Sequence, residues 1–402
     1  MIKFLITFFP INLALIHFSI FEIFGGFNFT VAHLYQLVFL FIFLISFKKI
    51  YLSITYVLIS IIVPLFTLIT PFNYNITDFF KSYFLLLHSY MFLSFVTYNI
   101  FKKPISSIEE ISKMFSSVFF IIAVFTIIQS ITINLFQTNF LWYPFGDHSY
   151  LHTRSIDPTS RGFIGFGLFD IIRSHGLYLE PSILGIILSL GLIFEIFIIK
   201  KKSSLRILLL LIAQFLAFSK AAIFFLLLVF LFSVLFNHKN LKMKWILIIL
   251  TIPILIIYPS FTLDSVLNIN SYDTSGWRRL IFPILVISKE FNLGFMGHPF
   301  GSVEYYIKQS FDDFAYNTID TGMYLIIFYF GILGIIFFML LLFYSIKLLT
   351  KNFINGILLF SFVYCLFVSN AWTPETATYV TTLVLFYKIY EFYKQQTSYI
   401  AL

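Results

Sequence analysis

Residues 205–236 read LRILLLLIAQFLAFSKAAIFFLLLVFLFSVLF, and Arg206 and Lys220 are the only charged side chains in the stretch. A half-buried strand would alternate apolar and polar residues, and a surface helix would carry a polar stripe. This run does neither. Inside a bilayer the backbone has no water to bond to, so a long apolar run satisfies itself as helix. The tripeptide Phe218-Ser219-Lys220 divides the stretch into two runs, 205–218 and 221–236. Each is near or below the ~20 residues that a helix needs to cross alone. The turn between them is therefore expected below the outer surface, within the membrane plane.

The same reading extends over the chain. Of its 402 residues 60% are hydrophobic and 11% charged, with a mean hydropathy of +0.95. A soluble domain carries about 25% charged residues. Length and flanking residues give about twelve spans, near 4–24, 29–47, 51–71, 79–100, 114–136, 181–199, 205–218, 221–236, 245–260, 320–346, 353–371 and 377–391. The expected fold is all-α: one polytopic membrane domain over residues 1–402. The apolar run after Met1-Ile2-Lys3 shows no clear small-residue cleavage site and is read as an uncleaved first helix. Cys365, the single cysteine, lies in an apolar run and has no internal disulfide partner.

A net charge of +8 and a pI of 9.2 do not point to nucleic acid here. Most lysines flank the apolar runs, where basic residues mark the cytoplasmic side. With the N-terminus inside, Lys48-Lys49, Lys102-Lys103, Lys200 to Lys202, Lys239/Lys242/Lys244, Lys347/Lys351 and Lys388/Lys394 all fall on one face. Both termini are then cytoplasmic. Two long polar segments, 137–179 and 261–319, are outside and are expected to form the site, since loops on a rigid scaffold often carry function.

Arginine is partitioned the other way. Of six arginines, Arg154, Arg161, Arg173, Arg278 and Arg279 lie in the outer segments and only Arg206 lies inside. A guanidinium grips phosphate or carboxylate through a planar fork that lysine lacks. The outer face therefore reads as built for an anion. Arg173-Ser-His-Gly-Leu-Tyr-Leu-Glu180-Pro181 enters one helix, with Pro181 suited to its first turn and Glu180 at its positive end. Glu180 either caps that helix, orients an arginine or acts as a base. Ser219 can cap the helix after it, which places Lys220 at an N-terminus that favours phosphate. Asp320 opens a third helix.

Trp277-Arg278-Arg279 and the Gly294…Gly301 stretch with His298 lie in the second outer segment. The tyrosines and tryptophans of both segments either stack on sugars or anchor the interface. His148, His152, His175 and His298 lack zinc spacing, so neither metal nor cofactor is expected. No phosphate-binding Walker loop, dinucleotide fingerprint or Gly-x-Ser-x-Gly elbow occurs. A transporter or flippase would spread ionisable groups through the spans at mid-depth, and few are seen: His17, His88 and Glu195, the last near the inner interface.

In order, these segments resemble the O-antigen polymerase and O-antigen ligase superfamily. The likeness runs over residues 165–345, through Arg173…Gly176…Glu180-Pro181, Ser219-Lys220-Ala221, Trp277-Arg278, Gly297…Gly301, and Tyr324-Leu325…Gly331-Ile332-Leu333-Gly334. Lys220 stands where the superfamily has Arg. Asp320-Thr321 stands where ligases have His-Asn, which favours a polymerase of the Wzy type. The resemblance implies metal-independent glycosyl transfer at the outer face of a bacterial inner membrane. The donor would be a glycan on undecaprenyl diphosphate and the acceptor a lipid-linked repeat unit. Arg173, Lys220, Arg278 and Arg279 would bind the diphosphate. Glu180, Asp320 or His175 would act catalytically. Arg154, Arg161, Trp277 and His298 would contact the glycan. A flippase and a chain-length regulator are the expected partners, and the alternative is a ligase using another acceptor.

Overall fold

A computed structural model describes residues 2–16, 18–23, 27–46, 61, 76–93, 107–136, 163–165, 170–172, 174, 176–178, 181–217, 219–236, 282–290, 297–310, 319, 321–369 and 373–400. In chain order these form α1 (Ile2–Phe8), α2 (Ile11–Ala14), β1 (Ser19–Ile23), β2 (Phe27–Thr30), α3 (Val31–Ser46), α4 (Ile76–Phe92) and α5 (Ile108–Phe136). Then follow β3 (Phe163–Gly165), β4 (Asp170–Ile172), α6 (Pro181–Ile193), α7 (Ser204–Ala217), α8 (Lys220–Phe236), α9 (Phe282–Glu290) and α10 (Val303–Ser310). The C-terminal part is α11 (Gly322–Lys351), α12 (Phe353–Val368) and α13 (Pro374–Ile400). The architecture is all-α, with two antiparallel hairpins, β1–β2 and β3–β4, as small additions.

Among the described residues, α5 and α11 are long and apolar enough to cross a membrane, and shorter apolar helices surround them in sequence. At 1.5 Å per residue α5 is ~44 Å long. Ser107-Ile-Glu-Glu110 has the spacing of a capping box at its start, and the Ile111 amide donates to the Ser107 carbonyl at 3.0 Å. On α11, Ile335, Ile336, Phe337, Met339, Leu340, Phe343 and Ile346 are all exposed. Water would not tolerate so broad an apolar face on a monomer, whereas lipid requires it.

Two expectations change. The run 4–24 is not one helix: α1 ends at Phe8, α2 is a single turn, and β1 starts at Ser19. Pro10 lacks an N–H and crowds the preceding turn, which stops a continuous helix. Beyond it, Phe24-Gly25-Gly26 separates two aromatic-rich runs that pair as a hairpin, with Phe21 opposite Phe29 and Ile23 opposite Phe27. The second change is inside α11. Gly331 has φ 53° and ψ −128°, so the helix breaks there. The 20 residues after the break still span ~30 Å. The expected spans 51–71 and 245–260 lie outside the described residues, Ile61 apart.

The chain divides into two compact units, 1–35 with 105–253 and 386–402, and 36–104 with 254–385. In the first, α5 packs on α6 and α7, and α6 packs on α8. Phe115, Phe119, Phe194 and Phe386 form its aromatic core, with ring centroids 4.8–6.1 Å apart. In the second, α11 packs along α12, and Phe79, Leu86, Phe282, Phe300, Ile319 and Phe328 belong to one buried cluster.

Candidate functional site

In the first unit the entry to α6 is held at alternate residues. The Ser174 amide donates to the Leu216 carbonyl at 3.0 Å, and Ser174 Oγ to the Thr126 carbonyl at 3.3 Å. The Gly176 amide donates to Gln129 Oε1 at 2.7 Å, and Gln129 Nε2 donates to the Gly176 carbonyl at 3.2 Å. Tyr178 donates its hydroxyl to the Leu13 carbonyl at 3.0 Å. Tyr178 is wholly buried, and burial pushes its phenol well above the ordinary value, so it remains a donor at any working pH. Gly176 has φ 61°, and a Cβ there would meet Thr126 Oγ1 at 3.1 Å and Leu184 at 3.2 Å. The left-handed backbone and the tight cradle both require glycine.

The turn before α8 meets the first helical turns of α6. A Cβ at Gly185 would stand 2.6 Å from Ser219 Cβ and 2.8 Å from Ala222 Cβ, so the two helices touch through small residues. Ser219 is buried and caps α8: its carbonyl accepts from the Ile223 amide at 2.9 Å, and its hydroxyl accepts from the Ala222 amide at 3.4 Å. Lys220 is the first residue of α8. Gly185 lies four residues into α6, so the start of α8 lies ~6 Å below the start of α6 along that helix. At 14 residues, α7 is ~21 Å long, short of a ~30 Å hydrocarbon core. Ser174, beside Arg173, is bonded to Leu216, four residues before Lys220. Two of the three helix entries singled out in the sequence are thus neighbours.

The third entry belongs to the second unit. The Gly322 amide donates to the Ser369 carbonyl at 2.8 Å, and Ser369 Oγ lies 3.1 Å from Thr376 Oγ1. The residue after Asp320, Thr321, is therefore fixed beside the α12–α13 junction. His298 is 9% exposed, its ring 4.4 Å from that of Phe328 and 4.3 Å from that of Tyr306. Its amide donates to the Phe328 carbonyl at 2.8 Å, three residues before the break at Gly331. A Cβ at Gly297 would stand 2.0 Å from that same carbonyl oxygen, so only glycine allows the approach.

Of the residues expected to act, His298 is described fully and Lys220 by its place in α8. Arg173, His175, Glu180, Asp320, Arg278, Arg279, Arg154, Arg161 and Trp277 lie outside the described residues. The sequence reading overlooked Thr126 and Gln129, which stand three apart on one face of an apolar helix and are both fully buried. It named Glu195 and Arg206 but overlooked Ser116, which joins them by donating to Glu195 and accepting from the half-buried Arg206. Glu195 sits in the π-helical turn Phe194–Ile198 and has no solvent exposure. Among the described residues, no cluster of three His, Cys, Asp or Glu side chains could hold a metal ion.

A family model for the WcaD colanic acid polymerases matches residues 4–389. Neither a curated protein nor a solved structure matches the chain.

Proposed function

Because the chain belongs to the WcaD colanic acid polymerase family, and is therefore a membrane glycosyltransferase that polymerises polysaccharide, we propose that it joins lipid-linked repeat units at the outer face of a bacterial inner membrane. The observation that carries this reading is the union of the Arg173–Glu180 segment with the Ser219–Lys220 turn, made by the Ser174–Leu216 hydrogen bond and the Gly185–Ser219 contact. In this proposal the side chains of Arg173 and Lys220 face the junction of these two helix entries. That arrangement suits a diphosphate, which accepts hydrogen bonds from amides and ion pairs from both cations.

The donor in this proposal is a glycan on undecaprenyl diphosphate, and the acceptor is a sugar hydroxyl of another lipid-linked unit. The hydroxyl oxygen forms a bond to the anomeric carbon while the bond from that carbon to the phosphate oxygen breaks. The proton passes to Glu180 or Asp320, with His175 as the nearby relay. Undecaprenyl diphosphate leaves with the electron pair, and Arg173, Lys220, Arg278 and Arg279 neutralise its charge without a metal ion. Arg154, Arg161, Trp277 and His298 are the residues proposed to contact the glycan. Holding both glycans in one groove supplies the orientation that a bimolecular transfer lacks. In this proposal the chain crosses the membrane many times with both termini in the cytoplasm, and it works beside a flippase and a chain-length regulator.

Deletion of the gene is the test. The proposal expects single repeat units and no chains. Long chains stranded on the carrier lipid would instead indicate a ligase.

A further inference from the structure

Gln129 is wholly buried in the last third of a membrane-length helix, Ile108–Phe136. A buried amide is costly unless its polar ends are met, and Leu or Met would fill the same volume without that cost. Both ends of this amide engage one residue. Oε1 accepts from the Gly176 N–H at 2.7 Å, and Nε2 donates to the Gly176 carbonyl at 3.2 Å. A peptide N–H can meet only the amide oxygen and a carbonyl only the amide nitrogen, so the orientation of Gln129 is forced. Gly176 has φ 61°, and a Cβ there would crowd Thr126 and Leu184. Ser174 and Tyr178 anchor the chain on either side of it. These three anchors enclose His175 in sequence, follow Arg173 by one residue and precede Glu180 by two.

We infer that Gln129 is a positioning residue for the transfer reaction. It clamps the peptide of Gly176 and so sets where the cation, imidazole and carboxylate of the Arg173–Glu180 segment stand relative to the α8 N-terminus. The inference rests on the polymerase reading above. It assigns Gln129 no contact with substrate. Its role is the accurate placement that separates a bound donor from a reacting one.

The experiment uses the full-length protein in lipid nanodiscs with an undecaprenyl-diphosphate-linked repeat unit as both donor and acceptor. Initial rates are measured across substrate concentration for the wild type, Gln129→Met and Gln129→Glu. Gln129→Met keeps the length and removes both bonds. Gln129→Glu keeps the acceptor for the Gly176 N–H and loses the donor. Gln129→Met is expected to lower kcat by about tenfold to a hundredfold with KM within about twofold, and Gln129→Glu to fall between it and the wild type. In an Arg173→Lys background, Gln129→Met is expected to cost much less than it does alone, because both changes misplace the same group. A Gln129→Met enzyme with unchanged kcat per folded molecule overturns the inference, as does a loss that simply multiplies with that of Arg173→Lys. Should Gln129→Met fail to accumulate, Gln129→Glu decides on the same kcat criterion. A wild type that makes no polymer overturns the polymerase reading and this inference together. Normal wild-type polymerisation with indifferent Gln129 variants overturns the inference alone.

Discussion

Ser174 and Leu216 share a backbone hydrogen bond of 3.0 Å that ties the approach to α6 to the end of α7. Neither side chain is reactive, yet the bond brings the residue after Arg173 to within four residues of Lys220. The approach to α6 and the approach to α8, far apart in the chain, thereby meet. In hydrocarbon an ammonium at the tip of a short helical pair is costly unless something anionic or wet meets it.

Lys220 should tolerate arginine and not alanine. The Lys220→Arg change keeps the positive charge at the α8 N-terminus and adds a bidentate fork. In the proposed site the Lys220→Ala change removes a charge that offsets the leaving diphosphate, and the expected loss is about a hundredfold in rate. Surface glycan ladders from a complemented deletion strain, normalised to membrane protein level, report both. Equal ladders for the two variants would remove Lys220 from the site.

Gly185→Val should separate α6 from α8. Even a Cβ at Gly185 would fall 2.6 Å from Ser219 Cβ, and Ser219 is the buried cap of the helix that Lys220 begins. The helices must move apart, which shifts Lys220 away from the α6 entry. Polymer length should collapse while the protein still inserts, as read by ladder gels alongside membrane fractionation. Full-length ladders would show that the contact does not control the site.

How far the sequence led can be judged residue by residue. The apolar runs 181–199, 205–218 and 221–236 are helices close to their expected limits, because in a long apolar run length and flanks are enough. The cap at Ser219 followed from its place before an apolar run. The β1–β2 hairpin was missed because β1 lies inside what reads as the first span, 4–24, and β2 runs from the gap after it into the next. The break at Gly331 was hidden for a different reason. Gly331-Ile332-Leu333-Gly334 continues the apolar pattern, and only the approach of Gly297 and His298 to the Phe328 carbonyl explains the left-handed residue. Gln129 was likewise invisible: a buried amide announces a partner, and tertiary structure alone says that the partner is Gly176.

Gly331→Ala should destabilise the second unit. A side chain at φ 53° and ψ −128° is strained by about 1–3 kcal/mol. The melting temperature of the purified protein in detergent should fall by several degrees. An unchanged melting temperature would mean that the helix after Phe330 can run straight without loss.

Arg206→Leu should be more damaging than the pair of changes Glu195→Gln with Arg206→Leu. Glu195 is fully buried, bonded to Ser116, and Ser116 in turn accepts from Arg206. Removing the half-buried Arg206 leaves the buried Glu195–Ser116 pair without its cation, a cost of about 1–3 kcal/mol, whereas removing both charges is often close to neutral. Thermal unfolding of the two variants should rank them in that order. A double variant less stable than Arg206→Leu would show that Glu195 gains nothing from Arg206.

The most direct measurement is polymerisation by the purified protein. Wild type, Arg173→Ala, Lys220→Ala and the double variant would each be given an undecaprenyl-diphosphate-linked repeat unit, and chain products counted over time. Cations that share one diphosphate predict an active wild type, each single variant slower by about a hundredfold, and a double variant little worse than either. Wild-type rates in both single variants would contradict a diphosphate site at this junction.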